Sequence, residues 1–236
     1  MTTQGRTSDQ VRLATGYERV QPLANYAPWL TDAAFQEVYQ FIAGSTLVDI
    51  YRCYSLWKLV EQTAALDGDL LEVGVWRGGT GAIIASRAAM LAASERKRVY
   101  LADTFSGVVK ASARDTYYRG GEHANTSAQL VSSLLDELEL DNVTLLTGMF
   151  PEETGAEVAG RTFCFCHIDV DVYQSASDVL AWIWPRLVVG GIVVYDDYGF
   201  YGCEGVTAHV NEQFPVAGRL VIHNLNGQAI MIKTSR

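Results

Sequence analysis

Basic residues are in short supply in this sequence: 18 Lys and Arg stand against 27 Asp and Glu, a formal net charge of −9. That balance argues against a nucleic-acid binder that relies on phosphate contacts, and against docking on an anionic membrane surface. Cysteine is scarce as well. Cys53, Cys164, Cys166 and Cys203 include no C-x-x-C pair, so neither a zinc framework nor a disulfide framework is legible. Cys164 and Cys166, two apart in an apolar run, are expected to share one strand face as small buried hydrophobes. No apolar run approaches a spanning length, and the opening "MTTQGRTSDQVR" has no signal-peptide core. The expectation is a soluble, cytoplasmic protein with no nucleic-acid or membrane partner. Internal repeats and low-complexity segments are also missing.

What remains is rich in core-forming residues. The 236-residue chain is 49% hydrophobic and 19% charged, which suits one α/β domain with an N-terminal extension. Residues 1 to about 30 are polar and aromatic without clean periodicity. Thr31 is a candidate cap for a helix to about Ile42, with Gly44 as its stop, and a second helix fits Thr46 to about Leu66. From Leu70, strands alternate with helices. "LLEVG" precedes an Ala-rich helix over 79–94. "RVYLAD" precedes a helix over 127–140, capped by Ser127 or Thr126. After "NVTLLTG" come "RTFCFCHIDVD", a helix over 175–187, "GGIVVYDD" and a helix over 205–214. "RLVIHN" and "QAIMIKT" then flank the hairpin turn "LNG". The alternation predicts a doubly wound, mostly parallel sheet with a C-terminal antiparallel hairpin. The connection 104–125 is too long for an ordinary βα loop. It reads as a lid or substrate wall, with a mobile surface insertion as the alternative.

"LLEVGVWRGGT" sets Glu72, Gly74, Gly78 and Gly79 at a strand-to-helix turn, where such sheets bind ligands. The dinucleotide fingerprint G-x-G-x-x-G fails, because Trp76 stands at its second glycine. A bulky side chain there obstructs pyrophosphate and disfavours a nicotinamide enzyme. An acidic residue two before the first glycine suits an ammonium-bearing ligand without phosphate, such as S-adenosylmethionine. Asp103, closing the next strand, is placed to accept ribose hydroxyls. Each element alone has a plainer reading, helix–sheet packing for the glycines and a cap for Asp103. Together they point to an adenosyl cofactor.

The second anomaly is acidic. Asp169 and Asp171 in "HIDVDVY", and Asp196 and Asp197 in "YDDYGF", end two otherwise apolar runs, although Asp is poorly suited to strands. Read as an extended chain, Asp169 and Asp171 point the same way, opposite Ile168, Val170 and Val172. Hard oxygen ligands in this number suit Mg²⁺ or another divalent cation. The alternative is four solvated carboxylates at loop starts.

"GVWRGG", "ADTFSG", "HIDVDVYQS" and "GGIVVYDDYGF" resemble the macrocin O-methyltransferase family, over about Thr46 to about Phe214. The resemblance implies a Rossmann-like class I methyltransferase domain over 46–236, with 1–45 as an N-terminal extension or lid. It implies S-adenosylmethionine, a divalent cation (usually magnesium), homo-oligomers, and methylation of a sugar hydroxyl on a glycosylated natural product, as in antibiotic biosynthesis. By position, Asp169, Asp196 and Asp197 match the metal ligands, and Asp171 matches a carboxylate proposed as base in some members. Val170 stands where members more often carry glycine. The 104–125 segment matches loosely, so the acceptor is not carried over.

The candidate cofactor contacts around the glycine loop are Glu72, Gly74, Val75, Trp76 and Gly78. Further along they are Asp103, Thr104, Ser106, Ser127, Met149, Phe150 and Asp169. Met149 and Phe150 follow the third strand, where adenine packs in this fold class. Asp171 is the first candidate base and His123, in the long loop, the second. His167 reads as structural, pointing away from Asp169. His209 and His223 receive no role, and Trp57, Trp182 and Trp184 read as core. Tyr17, Tyr26 and Trp29 mark an interface or a lid. A catechol-type methyltransferase is the alternative enzyme, but the lysine such enzymes carry just after the D-x-D pair is missing from "DVDVYQS". A catalytically silent binding subunit is the remaining alternative, and it sits poorly with an intact glycine loop and acidic set.

Overall fold

The structure is a computed structural model that describes residues 16–20, 23–91 and 97–236. All of "MTTQGRTSDQVR" and the last residues of the helix expected over 79–94 lie outside the described residues. Seven strands form one sheet among them: β1 (Asp69–Val73), β2 (Val99–Asp103), β3 (Val143–Thr147), β4 (Phe163–Ile168), β5 (Leu187–Tyr195), β6 (Arg219–His223) and β7 (Ala229–Lys233). Their order is β3-β2-β1-β4-β5-β7-β6. β1 to β5 run parallel, and β7 pairs antiparallel with both β5 and β6. The doubly wound sheet and its closing hairpin match the sequence pattern. Strand order reverses between β1 and β4, which opens a crevice at their carboxyl ends.

The helices are α1 (Ala33–Ile42), α2 (Ile50–Thr63), α3 (Gly79–Met90), α4 (Ala128–Glu137), α5 (Tyr173–Ile183) and α6 (Glu204–Asn211). α1 to α4 cover one sheet face, over Leu70, Leu101, Phe165, Ile192 and Val194. α5 and α6 cover the other, over Leu71, Tyr100, Cys166, Val193 and Tyr195. α1 buries Phe35, Val38 and Ile42 in the core shared with Trp57 of α2 and Ile83 of α3. At about 1.5–3 kcal/mol per buried side chain, that holds α1 firmly to the domain.

Two helix starts differ from the sequence reading. Asp32, not Thr31, caps α1, accepting from the Phe35 amide at 3.1 Å. α2 begins at Ile50, where Asp49 accepts from the Tyr51 and Arg52 amides. A carboxylate is the stronger acceptor for orphan amides at a positive helix end. Residues 45–48, released from the helix, reach the crevice.

Strand β4 departs twice from simple alternation. Its register shifts between Phe163 and Phe165, so Cys164 packs into one core cluster and Cys166 into the other. The shared cysteine face is therefore not formed, because a bulge breaks the period of two. All four cysteines are free and buried. β4 also ends at Ile168, so Asp169 and Asp171 do not alternate along a strand. Both lie in the turn beyond it, with Asp171 in the left-handed region at φ 64°.

Candidate active site

The carboxyl ends of β1, β2, β4 and β5 open into a cavity of about 310 Å³. Residues 45–48, the long loop through Thr104, Val108, Tyr118 and His123, and the 196–203 turn close its sides. The long loop forms a wall of the cavity and is pinned at three points. Lys110 pairs with Asp178 and Glu152, Asp115 accepts from the Tyr173 amide at 2.9 Å, and Asn125 accepts from the Trp76 indole at 2.9 Å.

The glycine-loop end is built from backbone. Gly74 has φ 88°, and a Cβ there would stand 1.7 Å from the Asp169 carbonyl oxygen, so only glycine lets the β1 and β4 ends pass this closely. Asp103 gathers the loop. Its Oδ2 accepts from the Val75 and Trp76 amides at 2.7 and 2.8 Å, and its Oδ1 accepts from Phe105 at 2.6 Å. Gly74, Val75, Trp76, Asp103, Thr104 and Phe150 line the cavity.

Asp169 lines the cavity at its acidic end, whereas Glu72, Gly78, Ser106, Ser127 and Met149 do not reach the wall. Glu72 is fully buried on the α3 side, its Oε1 2.8 Å from His167 Nδ1. Gly81 makes the space, since a Cβ there would meet Glu72 Oε2 at 2.7 Å. In β1 every second residue faces the helices, and Glu72 falls on that phase with Leu70. Gly78 and Ser127 serve as the caps of α3 and α4. Ser106 donates its amide to Thr104 Oγ1, and Met149 donates its amide to Glu153.

The acidic end is crowded. Oxygens of Asp169, Asp196 and Asp197 lie within 4.8 Å of one another, as do ligand atoms of Asp171, Asp197 and Cys203. Burial raises Asp169 and Asp197 well above the usual carboxylate range, and repulsion from neighbouring carboxylates adds to it. Asp171 is raised by burial too, against a hydrogen bond with Tyr118 that lowers it. Asp196 alone is held low: burial would raise it, but His167 and the Arg52 guanidinium outweigh that. Arg52 pairs with Asp196 Oδ2, and Gln228 Nε2 donates to Oδ1 at 2.9 Å. His167 Nε2 stands 3.6 Å from the same Oδ1. Burial alone would lower the imidazole's pKa, but the adjoining Asp196 and Glu72 raise it to about 10. His167 is thus a buried link between two carboxylates, away from the cavity wall.

Asp171 and His123 both face the cavity. Tyr118 stands between them, its hydroxyl 3.4 Å from His123 Nε2 and in contact with the Asp171 carboxyl. Sequence reasoning missed Tyr118 and Arg52. Tyr118 sits in a loop without periodicity, and Arg52 sits in a helix that reads as ordinary core packing. The only signal for Arg52 was a charge amid "YRCYSLW". Three converging carboxyl groups that repel one another fit a hard divalent cation. A crevice lined by the glycine loop, Asp103 and Phe150 fits an adenosyl group.

The macrocin-O-methyltransferase (TylF) family model matches residues 40–220. The chain belongs to that family. One relative is the 8-demethyl-8-(2,3-dimethoxy-alpha-L-rhamnosyl)-tetracenomycin-C 4'-O-methyltransferase of Streptomyces olivaceus, 34% identical over 67% of this chain. The chain spans 64% of that protein's length. The demethyldecarbamoylnovobiocin O-methyltransferase of Streptomyces niveus is 30% identical over 77% of this chain and 73% of its own. Among solved structures, the O-methyltransferase NovP superposes with a TM-score of 0.70 at 26% identity, covering 81% of this chain and 83% of that one. Family and relatives are O-methyltransferases, which accords with a class I fold carrying the seven-stranded order above. No helix among the described residues is long and apolar enough to cross a membrane.

Proposed function

We propose that this chain transfers a methyl group from S-adenosylmethionine to a sugar hydroxyl of a glycosylated natural product, with a divalent cation held by Asp169, Asp196 and Asp197. The observation that carries the reading is the convergence of those three carboxylates at one end of a cavity whose other end is the glycine loop. The sugar acceptor draws support from the rhamnosyl substrate in the name of the Streptomyces olivaceus relative.

The sulfonium would supply the methyl group, and a cation would lower the acceptor hydroxyl's pKa and fix its oxygen. Asp171 takes the hydroxyl proton, being the carboxylate of the acidic end outside the proposed ligand set. Tyr118 orients that carboxylate, with His123 behind it as the second proton acceptor. Trp76, Thr104 and the pinned loop exclude water and hold the acceptor in line with the methyl group. Residues 45–48, which follow the N-terminal extension and line the cavity, cover the acceptor side, and Tyr17 edges against Tyr201 on the same rim.

The test is methyl transfer to a deoxysugar glycoside and to a catechol, alongside calorimetry with S-adenosylhomocysteine. Cofactor binding with transfer to the glycoside is expected. Transfer to the catechol alone would overturn the sugar reading, and no cofactor binding would favour a silent subunit.

A further inference from the structure

Arg52 is 7% exposed, yet it lines the acidic end of the cavity. Its Nη1 pairs with Asp196 Oδ2 and its Nε donates to Asp49 Oδ2 at 2.9 Å. The face of its guanidinium lies 4.8 Å from the Phe200 ring centroid. Asp49 is itself fixed as the cap of α2. The arginine is therefore clamped from three sides against one of the three proposed cation ligands. With Arg52 on Oδ2, and with Gln228 on Oδ1 and His167 Nε2 3.6 Å from that same oxygen, Asp196 retains one free lone-pair direction, on Oδ2. A cation can enter, but it must share the carboxylate with a fixed positive charge.

We infer that Arg52 is a built-in counter-cation of the acidic site: it keeps Asp196 in place when no metal ion is bound and weakens the grip on the ion when one is. The inference rests on the proposed cation site. Like charges held on one carboxylate repel, so the arginine sets a ceiling on cation affinity. It also spares the cation-free protein a buried, unpaired Asp196. Arg52 is a positioning residue acting through Asp196, and it ties the cation site to helix α2.

The test is calorimetric titration of Mg²⁺ and Mn²⁺ into wild type, Arg52→Gln and Arg52→Lys, with thermal unfolding of each protein with and without ion. Arg52→Gln should bind on the order of tenfold tighter. Without ion its melting temperature should fall by about 10 °C, and saturating ion should recover most of that loss. Arg52→Lys keeps the charge but not the planar fork, so its affinity should lie between those of wild type and Arg52→Gln. A purely structural arginine gives the opposite sign, because a displaced Asp196 binds the ion more weakly. Unchanged or weaker binding in Arg52→Gln overturns the inference while leaving the cation site standing. Absence of binding in wild type overturns the cation site and the inference with it. If Arg52→Gln does not fold, Asp49→Asn carries the test, since asparagine preserves the helix cap. It releases the guanidinium to Asp196 and should lower affinity about two- to threefold. Unchanged or raised affinity there overturns the inference.

Discussion

The two ends of the cavity are built on opposite principles. At the glycine-loop end the one carboxylate is satisfied: Asp103 accepts three backbone amides and holds the loop in shape. At the acidic end, four carboxyls face one another with a single arginine and one imidazole among them. The hydrogen bonding of the first end is complete within the protein. The second end crowds carboxyl groups that repel one another, a repulsion that a cation would relieve.

Breaking the acidic end should produce the largest effect. Asp169→Ala is expected to lower methyl transfer by about 10³-fold or more, while S-adenosylhomocysteine affinity by calorimetry stays within a few-fold. Equal loss of both would mean that the two ends are not separable. They meet at Gly74, whose Cβ position coincides with the Asp169 carbonyl. Gly74→Ala should therefore weaken both cofactor and cation binding, each by at least about tenfold. An effect on one ligand only would show that the joint is softer than the packing implies.

The proton acceptor gives a smaller difference. Asp171→Asn should reduce turnover about 10²–10³-fold at intact cofactor affinity. His123→Ala, one step behind Tyr118, should cost less than about tenfold. The reverse ranking would make His123 the base.

The smallest effect lies outside both ends. Burial holds His209 down to about 4, with Arg219 adding to the shift, among the rings of Tyr173 and Tyr195. Because the folded value is below the unfolded one, its contribution is complete above about pH 6.5 and is lost as pH falls toward 4. Full protonation costs on the order of 3 kcal/mol. Urea unfolding at pH 7 and pH 5 should show a drop in wild type that His209→Phe reduces. Equal drops would assign the acid sensitivity elsewhere.

The fold was legible because period and punctuation agree along most of the chain. The strands from Leu70 onward and the hairpin around "LNG" follow from alternation and turn chemistry alone. Where the reading slipped, a long-range contact had overridden a local rule. Period two placed Cys164 with Cys166, but pairing with two neighbouring strands inserted a bulge. The same rule drew Asp169 and Asp171 as strand residues, whereas the strand stops where the passage beside Gly74 requires a turn. At the site, the acidic motifs announced themselves as carboxylates in apolar runs. Glu72 looked equally conspicuous, yet its partner is His167 on the adjacent strand, a pairing invisible without the sheet order. Arg52 stayed hidden because its partner is 144 positions away.

The central claim is that the acidic end makes methyl transfer depend on a divalent cation. The direct measurement is transfer from S-adenosylmethionine to a deoxysugar glycoside after chelation, with metal removal verified by elemental analysis, followed by adding Mg²⁺ back. The account predicts loss of activity on chelation and its recovery with Mg²⁺. Full activity in verified metal-free protein would contradict it.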